Sequence, residues 1–135
     1  MAAAGASTAG DSGRTCEISA RDRHAIDEEH LQRMTLGDRC LEREVLQIFV
    51  RQSAMMLGRI SSGQPGVVAA AAHTMIGSAR GIGAWRVASA AERLERAGRS
   101  SGEEEVTDAI AELKAASLEA TAAIGLRLGE PTPSR

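Results

Sequence analysis

The chain is 135 residues long and 43% hydrophobic, enough to bury one core but not two. Phe49 and Trp85 are its whole aromatic complement, the formal net charge is -2, and Lys114 is the single lysine among 16 basic residues. Those residue types exclude an aromatic stacking platform, a basic nucleic-acid footprint and a Walker-type phosphate loop.

No apolar run approaches the ~20 residues of a membrane span, and Met1 to Ser12 has neither a basic n-region nor an apolar h-region. The reading is a cytoplasmic, non-membrane protein, with Cys16 and Cys40 as reduced thiols. Residues 1–23 are rich in Ala, Gly, Ser, Thr and charge and read as a flexible leader; 129–135, with Pro131 and Pro133, read as a flexible tail. The folded unit expected between them is 24–128.

Within that unit every strong period is helical. A short helix is expected from Asp27 to Met34. A long one follows from Asp38 to Ile60, with Leu41, Val45, Ile48, Phe49, Met55 and Met56 as its apolar stripe. Ser61-Ser62-Gly63-Gln64 reads as a turn, and Pro65 as the first residue of a second long helix ending near Gly81. A third helix stripes Ala84, Val87, Ala88, Ala91 and Leu94 and is predicted to end at Gly98. The fourth is expected to open with a capping box at Ser101 and Glu104, and to stripe Val106, Ile110, Leu113, Ser117, Ala120 and Ile124. These patterns predict an all-α fold: an antiparallel four-helix bundle with a short extra N-terminal helix.

The second long helix is unlike the others. At 100° per residue, Val68, Ala71, Met75, Ser78, Ala79 and Ile82 form its core side, while Gly66, Ala69, Ala70, Ile76, Gly77 and Arg80 surround His73 on the opposite side. Exposed helix faces ordinarily carry long charged residues, whereas this ring is flanked by glycine and alanine. Gly77, one turn beyond His73, costs about 1 kcal/mol relative to alanine in a helix interior, which a close approach by another backbone would explain. An exposed, largely neutral imidazole can serve as a nucleophile toward an activated phosphoryl group. A lone helical histidine is also commonly passive, and the wheel leaves both readings open.

The run Ala72-His73-Thr74-Met75-Ile76-Gly77-Ser78-Ala79-Arg80-Gly81-Ile82-Gly83-Ala84, with Leu94-Glu95 downstream and Thr35-Leu36-Gly37-Asp38, Leu41, Glu44, Val45 and Phe49 upstream, closely resembles the histidine-containing phosphotransfer (HPt) domains of bacterial phosphorelays. The resemblance spans about residues 26 to 126. It implies that His73 accepts a phosphoryl group from a receiver-domain aspartate and passes it to another receiver, without autokinase activity, and that Gly77 admits the receiver. It further implies response-regulator receiver domains and a hybrid histidine kinase as partners. No cofactor is expected on this chain, with Mg²⁺ on the receiver. The chain is expected to be a monomeric, free-standing shuttle.

One departure stands out. The family usually places lysine three residues after the histidine, where this chain has Ile76; Arg80, on the same side and about 10 Å along the axis, is the candidate substitute cation. The alternative function is a receiver-binding module with weak or no transfer, acting as sink or competitor. Ala69 and Ala70 complete the expected docking face, to which the five arginines between Arg80 and Arg99 would add a basic patch, although Arg93, Arg96 and Arg99 also read as a solvated face. His24 and His30 fall on different helix sides and read as structural, with no metal expected. Gly77, Gly81 and Gly83 follow no strand and do not read as a phosphate loop.

Overall fold

The computed structural model describes residues 25–100 and 102–129, which form five α-helices and, among those residues, no strand. Asp27 starts α1 (Glu28–Met34): its Oδ1 accepts the backbone N–H of His30 at 3.2 Å, with Glu28 and Glu29 favourably placed in the first turn. Asp38 does the same for α2 (Arg39–Ser62), accepting from Leu41 N–H at 3.1 Å, and Gly63 ends that helix with φ 91°. Pro65 is the first residue of α3 (Pro65–Ile82). After it come α4 (Trp85–Ser100) and α5 (Glu103–Leu128).

The last two boundaries depart from expectation. α4 runs through Gly98 to Ser100, because no left-handed residue interrupts it there. α5 takes Gly102 as its N-cap with no side-chain cap, so the box expected from Ser101 and Glu104 does not open it; Glu103, Glu104 and Glu105 instead meet the positive end of the helix dipole. Ser101 lies outside the described residues, as do the expected leader at 1–23 and nearly all of the tail.

α2, α3, α4 and α5 pack in chain order, α5 closes back on α2, and α1 lies against α3. Leu31, Leu46, Ile60, Met75, Leu94, Leu113 and Ile124 are fully buried between them. On α4 the inward residues include Ala88, Ala90, Ala91 and Ala97, small enough for α3 to lie close. Helix α2 corrects the expected stripe. It buries Leu46, Phe49, Ser53, Met56 and Ile60, at steps of three and four, and leaves Leu41, Ile48 and Met55 at 37%, 49% and 55% exposure. Sandwiched between α3 and α5, α2 has only a narrow arc to bury, and the three exposed residues, seven apart, fall just outside it.

The turn between α3 and α4 is where α1 is fastened. Asp27 N–H donates to Gly83 O at 2.9 Å, and Trp85 Nε1 donates to Asp27 Oδ2 at 2.9 Å. Gly83 has φ 80°, and a Cβ there would stand 2.9 Å from Asp27 Cβ, so this position requires glycine on both counts. At the other end of the bundle Arg127 joins α5 to α1 and α2 through Glu28 and Glu42, both at 2.6 Å. The bond from Glu42 and the charge of Glu28 push the guanidinium further above its ordinary range.

Candidate functional site

His73 stands midway along α3 with its side chain 77% exposed. Its Nδ1 lies 3.0 Å from Glu95 Oε2 on α4. A carboxylate only accepts, so Nδ1 carries hydrogen and donates it, and in the neutral ring Nε2 keeps the lone pair. With Nδ1 bonded to Glu95 on α4, Nε2 is the ring nitrogen outside that bond.

That open side carries Ala70 and Gly77, both exposed, with Ala69 half-buried at its edge. A Cβ on Gly77 would meet nothing within 4 Å among the described residues, so none of them crowds that position. The face continues past Thr74 and Val67 to a seam with α2, where Ser78 Oγ donates to Gln52 Oε1, and on to the exposed Ile48 and Met55. A shallow groove of ≈ 380 Å³ follows the seam, lined by Met56, Arg59, Val67, Ala70 and Thr74 among others.

Two expected members of the site lie elsewhere. Ile76 is 7% exposed and belongs to the core, not to the face of His73. The buried arc of α3 is rotated from the predicted one, taking in Ala72 and Ile76 and leaving Ser78 half-buried, because the alanine-rich α4 packs close on that flank. Arg80 is exposed, but its guanidinium pairs with Glu92 on α4 instead of reaching back along α3 to His73.

The expected basic patch is likewise neutralised. Arg86 pairs with Glu119 and Arg93 with Glu112, both across to α5, and Arg99 lies 3.7 Å from Glu95. Arg86 and Arg93 thus tie α4 to α5, and Arg99 faces a glutamate of its own helix. His30 has a structural place: its Nε2 donates to Arg80 O at 2.8 Å and its ring meets Trp85 edge-on at 4.9 Å. His24 lies outside the described residues, and among those described no group of three or more His, Cys, Asp or Glu could hold a metal.

The contact that sequence reasoning missed is Glu95 on the imidazole. Leu94-Glu95 was visible as part of the resemblance, but the register that brings residue 95 opposite residue 73 is a property of how α3 and α4 pack. The apolar margin on α2 was hidden for the same reason, its members having been assigned to the core.

The site is thus an exposed imidazole held by a carboxylate of the neighbouring helix on a helical bundle. The sequence model of the Hpt domain family matches residues 44–123, more than half of the chain, and the chain belongs to that family. Its general role is therefore that of a phosphotransfer carrier in phosphorelay signalling. No curated protein and no solved structure matches the chain. Among the described residues no helix is long and apolar enough to cross a membrane.

Proposed function

We propose that His73 is the residue of this carrier that accepts the phosphoryl group, through Nε2, from the aspartyl phosphate of one receiver domain, and returns it to the aspartate of another. The observation that carries the reading is the 77% exposed ring held at Nδ1 by Glu95, a contact that leaves Nε2 out of that bond. In-line transfer needs position above all, and a ring held at one nitrogen presents the other along a defined line. The receiver, or a hybrid kinase bearing one, brings the phosphoryl group and Mg²⁺ and works in the cytoplasm. It docks over Gly77 and Ala70 and across the seam onto Ile48 and Met55, an apolar surface that its own apolar rim can cover.

The test is transfer from a panel of phosphorylated receiver domains to the wild-type chain and to His73→Gln, read on phosphate-affinity gels. Acid-labile label on wild type and none on the variant is the expected result. Receiver binding without label would favour the second reading, a non-relaying receiver binder, for which the observation is Ile76: no cation stands one turn beyond the histidine.

A further inference from the structure

The groove along the seam of α2 and α3 has a single charged residue in its lining, Arg59, set among Met56, Val67, Ala70 and Thr74. Other arginines of α3 and α4 already face carboxylates: Arg80 pairs with Glu92, Arg86 with Glu119, Arg93 with Glu112, and Arg99 lies beside Glu95. Arg59 differs from them. It is exposed, no carboxylate lines its groove, and among the described residues it enters no ion pair. Met55 and Ile48 precede it by four and eleven residues, which puts all three on one side of α2, and both are about half exposed. The bond between Ser78 and Gln52 sets the register of the two helices, which a two-residue turn makes antiparallel. Arg59, seven residues beyond Gln52, is therefore level with Ala71, seven before Ser78, and about 3 Å along the axis from the level of His73. Long helical side chains lean toward the N-terminus of their own helix, which carries the Arg59 guanidinium from the level of Ala71 toward that of Thr74.

Resting on the reading that a receiver domain docks across this seam, we propose that Arg59 is the specificity-determining charge of the docking flank: it selects receivers that bring a carboxylate to the groove. A partner that covers Ile48, Met55 and Val67 also strips water from Arg59. A guanidinium buried there without a partner weakens the complex, whereas a carboxylate on the receiver converts the same burial into a hydrogen-bonded ion pair. The planar guanidinium bonds a carboxylate through two N–H donors at once, which fixes direction as well as contact. Apolar contacts at Ile48, Met55 and Val67 tolerate sliding and rotation of the partner; a directed bond beside them does not. Because Arg59 sits close to the level of His73, seating that bond also sets where the receiver's aspartate stands over the ring. Discrimination works equally by exclusion, since a receiver with a neutral or basic group at this point leaves the cation unpaired or repelled. The apolar residues fit receivers in general, and Arg59 distinguishes among them.

The test is calorimetric binding of a panel of receiver domains to the full-length chain and to its Arg59→Gln and Arg59→Glu variants, at low and high salt, with loading by phosphoramidate followed in parallel. Arg59 is exposed, so the variants should fold as wild type does by circular dichroism. For receivers that bind wild type, Arg59→Gln should lower affinity about threefold to tenfold and flatten its dependence on salt, and Arg59→Glu should lower it further. With the tightest receiver, changing its exposed carboxylates to lysine one at a time should yield one change that restores binding to Arg59→Glu. Phosphoramidate loading should be equal in all three chains, because Arg59 serves the partner and not the ring. Equal affinities of wild type and Arg59→Gln for every receiver that binds would overturn the proposal while leaving docking across the seam in place. Slower loading of Arg59→Gln would also defeat it, by placing the cation at the phosphoryl group. Binding by no receiver of the panel would remove the docking reading and this proposal together, and phosphoramidate label on wild type but not on His73→Gln decides the acceptor independently.

Discussion

The two flanks of α3 on either side of His73 are built from opposite materials. Toward α4 the surface is charged and internally paired: His73 with Glu95, Arg80 with Glu92, Arg99 beside Glu95. Toward α2 the hydrogen bond between Ser78 and Gln52 lies beside small residues and exposed apolar ones, Ala70, Gly77, Ile48 and Met55. One flank has already satisfied its polar groups within the chain. The other presents apolar area that gains only by being covered. On the proposed reading, the first flank sets the chemistry of the ring and the second receives the partner, so the two tasks are open to separate disruption.

The largest separation is expected from the double variant Ile48→Asp, Met55→Asp. Both side chains are about half exposed, so the fold should persist, while affinity for receiver domains by calorimetry falls by roughly tenfold or more, the effect of placing charge where an interface excludes water. Loading by phosphoramidate should be untouched. Equal loss of both would mean that the flanks do not divide the work.

Next in size is Ile76→Lys. Restoring a cation one turn from the histidine looks advantageous on a helical wheel, but this position is buried in the core at 7% exposure. Thermal or denaturant unfolding should show a loss of about 1–2 kcal/mol, reduced by as much as the lysine stem can lead its charge to the surface. A variant as stable as wild type would place residue 76 on the open flank after all.

The smallest effect belongs to Arg80→Ala. Its pair with Glu92 is solvent-exposed, so removing it should change stability by less than about 1 kcal/mol in the same unfolding assay, and should leave the phosphoramidate loading rate unchanged. A severalfold slower loading would return Arg80 to the site from which its pairing removes it.

Much of this architecture was legible in the chain because local rules govern it. Asp27, Asp38 and Pro65 begin helices for reasons contained within a single turn, and the stripe of α4 is buried throughout, from Ala84 to Leu94. What failed depends on how helices meet. Ile76 and the stripe of α2 were misplaced by assuming each helix buries the centre of its most apolar side, whereas the actual arc is fixed by which neighbours it has and how near they come. Glu95 was readable as a residue but not as a partner, since only the register of α3 against α4 brings it to His73. At Gly98 and Ser101, plausible stop and start residues were overridden: the helix continued past the glycine, and the acidic run from Glu103 served at the next helix start without a side-chain cap.

The order in which the helices pack bears on how the chain reaches this structure. α2 to α5 follow one another through connections of two residues each, and each lies against the one before it. Bringing neighbours together closes only short loops, for which little chain entropy is surrendered, so most of the native burial lies within reach of local search. Among the described residues, ties that span the sequence include Asp27 with Gly83 and Trp85, His30 with Arg80, and Arg127 with Glu28 and Glu42. His73 and Glu95 belong to one such local hairpin, so the hydrogen bond that orients the ring can form before the bundle has closed.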